Sequence, residues 1–166
     1  MPDPDHVGLV RAAQRGDALA MQELLGLLTP YVGRLCGPIA LSDGPDATQE
    51  ALISIFRNLR QLSEPAAVFG WARAIAVREA VRVARSARRT VPAELADVPA
   101  AGDPQLATDV RDVLDRLAPE HRAVLVLRDL EGLDERTVGD LLRVPAGTVK
   151  SRLFRARRSF RKAWER

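Results

Sequence analysis

Residues 133–158 decide the fold class. They read Leu-Asp-Glu-Arg-Thr-Val-Gly-Asp-Leu-Leu (133–142), Arg-Val-Pro-Ala (143–146) and Gly-Thr-Val-Lys-Ser-Arg-Leu-Phe-Arg-Ala-Arg-Arg (147–158). Asp134 can cap a short helix, and Val138, Leu141 and Leu142 give that helix an apolar face at helical spacing. Pro145 stops it and is tolerated at the start of the next helix. That next helix sets Val149, Leu153, Ala156 and Phe160 on one face, at steps of three and four. Its other faces carry Thr148, Lys150, Ser151, Arg152, Arg155, Arg157 and Arg158. Two short helices across a tight turn, the second apolar inside and basic outside, describe a helix-turn-helix whose second helix can enter a major groove.

A solvated cationic helix face normally mixes both signs of charge. From Arg143 to Lys162 there is no acidic residue at all. The net charge of +3 on 166 residues understates this asymmetry. Acidic residues are scattered through the first half, whereas arginines concentrate at 73–89 and 143–166. The isoelectric point near 9.7 therefore reflects two local basic patches, and local patches are what bind polyanions.

A hydrophobic content of 46% and a mean hydropathy of −0.11 are ordinary for a globular protein. Cys36 is the single cysteine, which excludes a disulfide framework and metal-ligand spacing, and its apolar neighbours suit a core position. No apolar run is expected to span a membrane, which takes about twenty residues. Met-Pro-Asp-Pro-Asp at the N-terminus has neither the basic nor the apolar segment of a signal peptide, so a soluble, cytoplasmic protein is expected. His6 and His121 lie far apart, no Gly-rich phosphate loop precedes a helix, and no carboxylate cluster suits a metal. The expectation is a protein with no catalytic site, no cofactor and no metal.

The chain lacks alternating β-branched runs and Asn-Gly turns, so an all-α fold is expected. Helices are expected at 7–15 and, capped by Asp17, at 18–28, with a break at Thr29-Pro30 and a restart over 31–39. A loop at 42–46 leads to a helix at 47–62, with Ala51, Leu52, Ile55, Phe56 and Leu59 as its apolar stripe. A long helix from about 66 to 85 or beyond begins with Phe69 and Trp71 and ends in Arg78, Arg82, Arg85, Arg88 and Arg89. Residues 90–107 are rich in Pro and small residues with no helical period, which reads as a flexible linker. Helices at 108–117 and 119–131 follow, the latter stopped by Gly132. The architecture is two small helical domains, 1–89 and 108–166, joined by a linker at 90–107.

The sequence resembles the extracytoplasmic-function (ECF) sigma factors of RNA polymerase. Leu117-Ala118-Pro119-Glu120-His121-Arg122-Ala123-Val124-Leu125, Gly132-Leu133 and the run Gly147–Arg157 are similar to their region four. Asp46-Ala47-Thr48-Gln49-Glu50, Phe56-Arg57-Asn58-Leu59, and Trp71 followed by Ile75-Ala76 are similar to region two. The resemblance runs from about Gly16 to Trp164 and implies binding to bacterial core RNA polymerase, recognition of two promoter elements, and an anti-sigma factor as a further partner.

Carried over by motif, Asp46, Gln49, Glu50, Ile53, Arg57 and Asn58 are the polymerase-contact candidates, a polar rim beside apolar residues. The helix after residue 63 corresponds to the part that melts and reads the minus-ten element, where Arg73, Arg78, Arg82, Arg85 and Arg88 are candidates for phosphate contact. The family often has Asn and Asp where this chain has Arg78 and Arg82. In the second domain, Thr148, Lys150, Ser151, Arg152 and Arg155 are expected to face the groove of the minus-thirty-five element. Arg136, Arg157 and Arg158 are expected on phosphates, and Val149, Leu153 and Phe160 in the core. Thr137-Val138-Gly139 replaces the usual acidic-apolar-small run, and Pro145 the common Ser cap. Gly139 inside a helix costs about 1 kcal/mol against Ala, which marks a close backbone approach. The alternative is a free-standing helix-turn-helix regulator that binds duplex DNA without polymerase. Against it, the chain has no heptad seam for dimerisation.

Overall fold

Helix α2 (Ala18–Ala40) is the axis of the first block, because its Leu24, Leu28, Val32, Leu35 and Ile39 recur at helical spacing and are all buried. The computed structural model describes the backbone of residues 4–90 and 104–165. Asp17 caps α2 as expected, its Oδ1 accepting from the Ala20 N–H at 3.0 Å. The expected break at Thr29-Pro30 does not occur: the helix runs on through Pro30 and Pro38. A proline inside a helix costs about 3 kcal/mol. Each fully buried aliphatic side chain returns about 1.5–3 kcal/mol, and a break would have rotated Val32, Leu35 and Ile39 off the core face.

Around α2 pack α1 (Pro4–Gln14), α3 (Gly44–Asn58) and α4 (Val68–Thr90). The Gln14 amide donates to Leu59 O and Leu62 O, tying α1 to the turn that ends α3. The loop expected at 42–46 is helical instead. Leu41 turns the chain with φ 54°, a 3-10 turn covers Leu41–Asp43, and α3 starts at Gly44 with Pro45 in its first turn. Gly44 permits this, since a Cβ there would lie 3.2 Å from the Gly37 backbone. Cys36 is buried, with its thiol pushed up to about 11 by burial, and serves as a core residue.

The second block holds α5 (Pro104–Asp115), α6 (Pro119–Leu125), α7 (Glu135–Leu142) and α8 (Ala146–Trp164). Helix α5 begins four residues before the expected 108, with Pro104 at its first position. Residues 91–103, most of the expected linker, lie outside the described residues. The single helix expected over 119–131 divides into α6 and a π-helical turn at Val126–Leu130, which ends at Gly132 with φ 69°. No strand occurs among the described residues.

The blocks touch. Helix α6 packs on α2 and α4, and α7 on α4, so one buried apolar cluster runs from Leu24 and Ile39 through Ala76 and Ala80 to Val124 and Leu127. Arg122 is 4% exposed inside this region. Its guanidinium donates from Nε to Ile39 O at 2.7 Å and from Nη1 to Leu117 O at 2.6 Å and Leu114 O at 3.1 Å. A window within Ala18–Gln61 is apolar enough by length and composition to cross a membrane, contrary to the sequence expectation. In this fold Leu24, Leu28, Val32, Leu35, Ile39 and Ile55 of that stretch are buried in the core.

Candidate nucleic-acid interface and helix-docking groove

The α7–α8 pair forms the expected helix-turn-helix. Asp134 Oδ1 accepts from the Thr137 N–H at 2.8 Å, and those hydrogen bonds hold its carboxyl below the usual range. Helix α7 ends at Arg143, which adopts a left-handed φ of 57°, and the Val144 N–H closes on Gly139 O at 2.9 Å. The close approach expected at Gly139 is present: a Cβ there would meet Val144 O at 2.7 Å. Pro145 precedes α8 with extended backbone, and its carbonyl accepts from the N–H groups of Thr148 and Val149.

Val149, Leu153 and Ala156 are buried beneath α8. Phe160 departs from its expected core position. It is half-buried and stacks on Trp164, with centroids 6.2 Å apart and planes at 9°. Lys150, Ser151, Arg155 and Arg158 are exposed, and Thr148 is half-buried. Ser151 Oγ donates to Thr148 O. Arg157 pairs with Asp129, the shorter contact being 2.5 Å, so it is pinned to the π turn. Arg136 stands exposed on α7.

Arg152 is set apart from the other α8 cations. It is half-buried and lines a cleft between the blocks together with Arg78, Arg82, Arg85 and Glu120. On the α4 side, Arg78 donates from Nε to Leu141 O at 2.8 Å, and burial together with Arg143 pulls its pKa down. Arg85 pairs with Glu120, and Arg82 with Glu79 at 2.8 Å and Glu50 at 3.7 Å. Arg73 lies 3.6 Å from Glu131, which also accepts from the Tyr31 hydroxyl at 3.1 Å. The side chain of Arg88 lies outside the described ones. Phe69 packs between Tyr31 and His6, and Trp71 is half-buried against the core.

A different surface lies on α3. Leu25, Pro45, Thr48, Gln49, Leu52, Ile53 and Phe56 line a shallow, almost wholly apolar groove of about 340 Å³. Phe56 is 55% exposed and contributes to this groove rather than to the core. Asp46, Glu50 and Arg57 are exposed on the same helix, while Asn58 donates to Ser54 O and is half-buried. Sequence reasoning missed Tyr31, Glu131 and Arg122. Tyr31 and Glu131 meet only across the two blocks, and Arg122 reaches Ile39 O of the first block in addition to Leu114 O and Leu117 O of its own.

Residues 107–160 match the family model for sigma-70 region 4. The chain is 30% identical to the ECF RNA polymerase sigma-E factor of Haemophilus influenzae, over 90% of this chain and 89% of that protein. It is 34% identical to the ECF RNA polymerase sigma factor SigE of Mycolicibacterium smegmatis, over 72% and 51% of the two chains. Among solved structures it is similar to CnrH in complex with the cytosolic domain of CnrY, with a TM-score of 0.66 and 18% identity over 96% of this chain and 97% of that one. It is also similar to the sigma factor RpoE in complex with the anti-sigma factor NepR from Bartonella quintana, with a TM-score of 0.66 and 18% identity over 87% and 96%.

Proposed function

The chain belongs to the ECF RNA polymerase sigma factors, a family of transcription initiation factors, and from that premise we propose which of its surfaces carry out initiation. One observation supports the assignment: two surfaces of opposite chemistry lie on different blocks. An apolar groove with a polar rim runs along α3, and an acid-free basic helix, α8, stands on the other block.

The groove suits a helical partner. Phe56, Leu52 and Ile53 supply a desolvated centre, and Asp46, Gln49, Glu50, Arg57 and Asn58 the surrounding polar rim. Its occupant is core RNA polymerase, in whose absence a sigma factor has no task. Helix α8 enters the major groove of the minus-thirty-five element, with Lys150, Arg155 and Thr148 at base edges and Arg136 and Arg158 on phosphates. The arginines of α4 serve the minus-ten strand, where Arg78 and Arg82 favour backbone contact over base reading. An anti-sigma factor holds the protein inactive by covering these surfaces, as its similarity to a sigma factor crystallised with NepR suggests. The protein acts where the polymerase is, in the cytoplasm, and catalyses no step itself.

Run-off transcription with purified core polymerase and genomic promoter fragments tests the function. Discrete transcripts that need both proteins are expected. Specific duplex binding by the protein alone, with no initiation, would favour the free-standing regulator. Phe56→Ala is expected to weaken polymerase association about tenfold, the effect of losing a central interface aromatic. Gln49→Ala and Arg57→Ala are expected to act more weakly from the rim. Equilibrium titration of labelled protein into core polymerase reads all three, and unchanged affinity for Phe56→Ala would remove the groove from the interface. Lys150→Ala and Arg155→Ala are each expected to weaken minus-thirty-five duplex binding roughly tenfold, from contacts of about 1–3 kcal/mol. Polymerase affinity should not move, which a parallel titration checks.

A further inference from the structure

Arg152 has no part in the surfaces assigned above. It sits on α8 between Lys150 and Arg155, yet it is half-buried and lines a cavity of about 460 Å³ whose other walls come from α4, α6 and α7. Helix α4 contributes Arg78, Arg82 and Arg85 to the lining. Steps of four and three put these on one helix face, along about 10 Å of the axis. Arg82 is answered by Glu79 at 2.8 Å and Glu50 at 3.7 Å. Arg78, Arg85 and Arg152 are left with Glu120, the one lining carboxylate among the described residues, and it pairs with Arg85. Arg78 donates to a neutral acceptor, Leu141 O, and Arg143 adds to the positive field around it. The charge of Arg152 reaches Glu120 and His121, but among the described residues it forms no ion pair.

We propose that this cleft is a binding site for a small oligophosphate, a chain of two or three phosphoryl groups such as a nucleoside triphosphate or inorganic tripolyphosphate carries. Three features support that ligand class. Every cation lining the cleft is an arginine, whose planar fork matches phosphate oxygens bidentately. Cations outnumber carboxylates in a partly buried space, where like charges raise one another's cost and a polyanion offsets it. The volume lies within the range of about 300–1,000 Å³ usual for small-molecule sites, and a double helix cannot enter it. Val81 and Leu142 add half-buried apolar surface to the lining, which suits the base of a nucleotide. Glu120 competes with the ligand for Arg85, so it lowers affinity and sets a threshold that a single phosphate does not pass. The site is distinct from the α3 groove and from the exposed cations of α8.

The test is isothermal titration calorimetry of the full chain with GTP, GMP and sodium tripolyphosphate at physiological ionic strength. Saturable one-to-one binding of GTP is expected, with GMP at least tenfold weaker. GTP binding tighter than tripolyphosphate assigns the site to a nucleotide, and equal or tighter tripolyphosphate binding assigns it to inorganic polyphosphate. Arg152→Ala is expected to weaken GTP binding at least tenfold, the loss of one bidentate charge-assisted contact. Arg11→Ala removes the same charge from an exposed position on α1 and is expected to change affinity less than twofold. Glu120→Gln is expected to tighten GTP binding severalfold, because Arg85 is released to the ligand. Absence of saturable binding overturns the site. Equal losses in Arg152→Ala and Arg11→Ala overturn it too, since they mean diffuse attraction to a basic protein. Should Arg152→Ala lose helical ellipticity, Glu120→Gln decides: a gain in affinity cannot come from unfolding, and unchanged or weaker binding overturns the cleft. No promoter and no polymerase enter the titration, so its outcome is independent of the sigma-factor surface assignment.

Discussion

Replacing Arg122 by Met is expected to lower stability by about 3 kcal/mol, seen as a fall of about 1–2 M in the urea midpoint. Met keeps much of the stem volume but removes every donor. Three main-chain carbonyls, Ile39 O, Leu114 O and Leu117 O, then lose a charge-assisted hydrogen bond inside the protein. Each buried acceptor left without its donor costs about 1–3 kcal/mol, offset in part because a guanidinium no longer has to be desolvated. These carbonyls lie near the C-terminal ends of α2 and α5, where the helix dipole adds to the attraction for a cation. Arg116→Met is the control, since Arg116 is exposed and its loss should stay within about 0.5 kcal/mol. Equal shifts for the two variants would mean that Arg122 is a solvated charge in solution and not the tie between blocks.

Gly139→Ala is expected to destabilise the second block although alanine is the better helix former. The propensity gain is about 1 kcal/mol. Against it, the new Cβ would sit 2.7 Å from Val144 O, 3.5 Å from Ala146 N and 3.6 Å from Pro145 C, all backbone atoms that cannot swing aside. Overpacking of this kind costs about 1–3 kcal/mol, and it acts on the turn that sets the α7–α8 angle. A loss of at least tenfold in minus-thirty-five duplex affinity is therefore expected by fluorescence anisotropy, with a lower thermal midpoint. Gly147→Ala provides the contrast, because a Cβ there meets nothing within 4 Å and should leave binding intact. If the two variants behave alike, the turn tolerates the extra carbon and the close approach does not set the docking angle.

Gly139 also shows how far a sequence can be read. A glycine in the middle of an amphipathic helix is locally unfavourable, and that conflict by itself points to a close backbone contact. Asp17 and Asp134 were legible for a similar reason, since capping is a matter of a few consecutive residues. Pro30 misled because its local penalty is genuine. It was overruled by Leu24, Leu28, Val32, Leu35 and Ile39, which need one continuous helix to reach one core. Phe160 misled in the opposite sense: periodicity placed it on the buried face, but it is only half-buried and stacks on Trp164.

The surfaces divide in the same way. Lys150, Arg155 and Arg158 were legible because an acid-free run of cations on one helix face is a property of that helix alone. The hold on Arg73, Arg78 and Arg85 was not, because Glu131, Leu141 O and Glu120 lie far along the chain and meet them only when the blocks pack. By itself the sequence determined the helical class, the helix-turn-helix, its basic face and the family, since periodicity, caps and motifs act over a few turns of one helix. Only the tertiary structure decided which arginines are free and which are covered, because burial and pairing across two blocks depend on distances that no local spacing encodes.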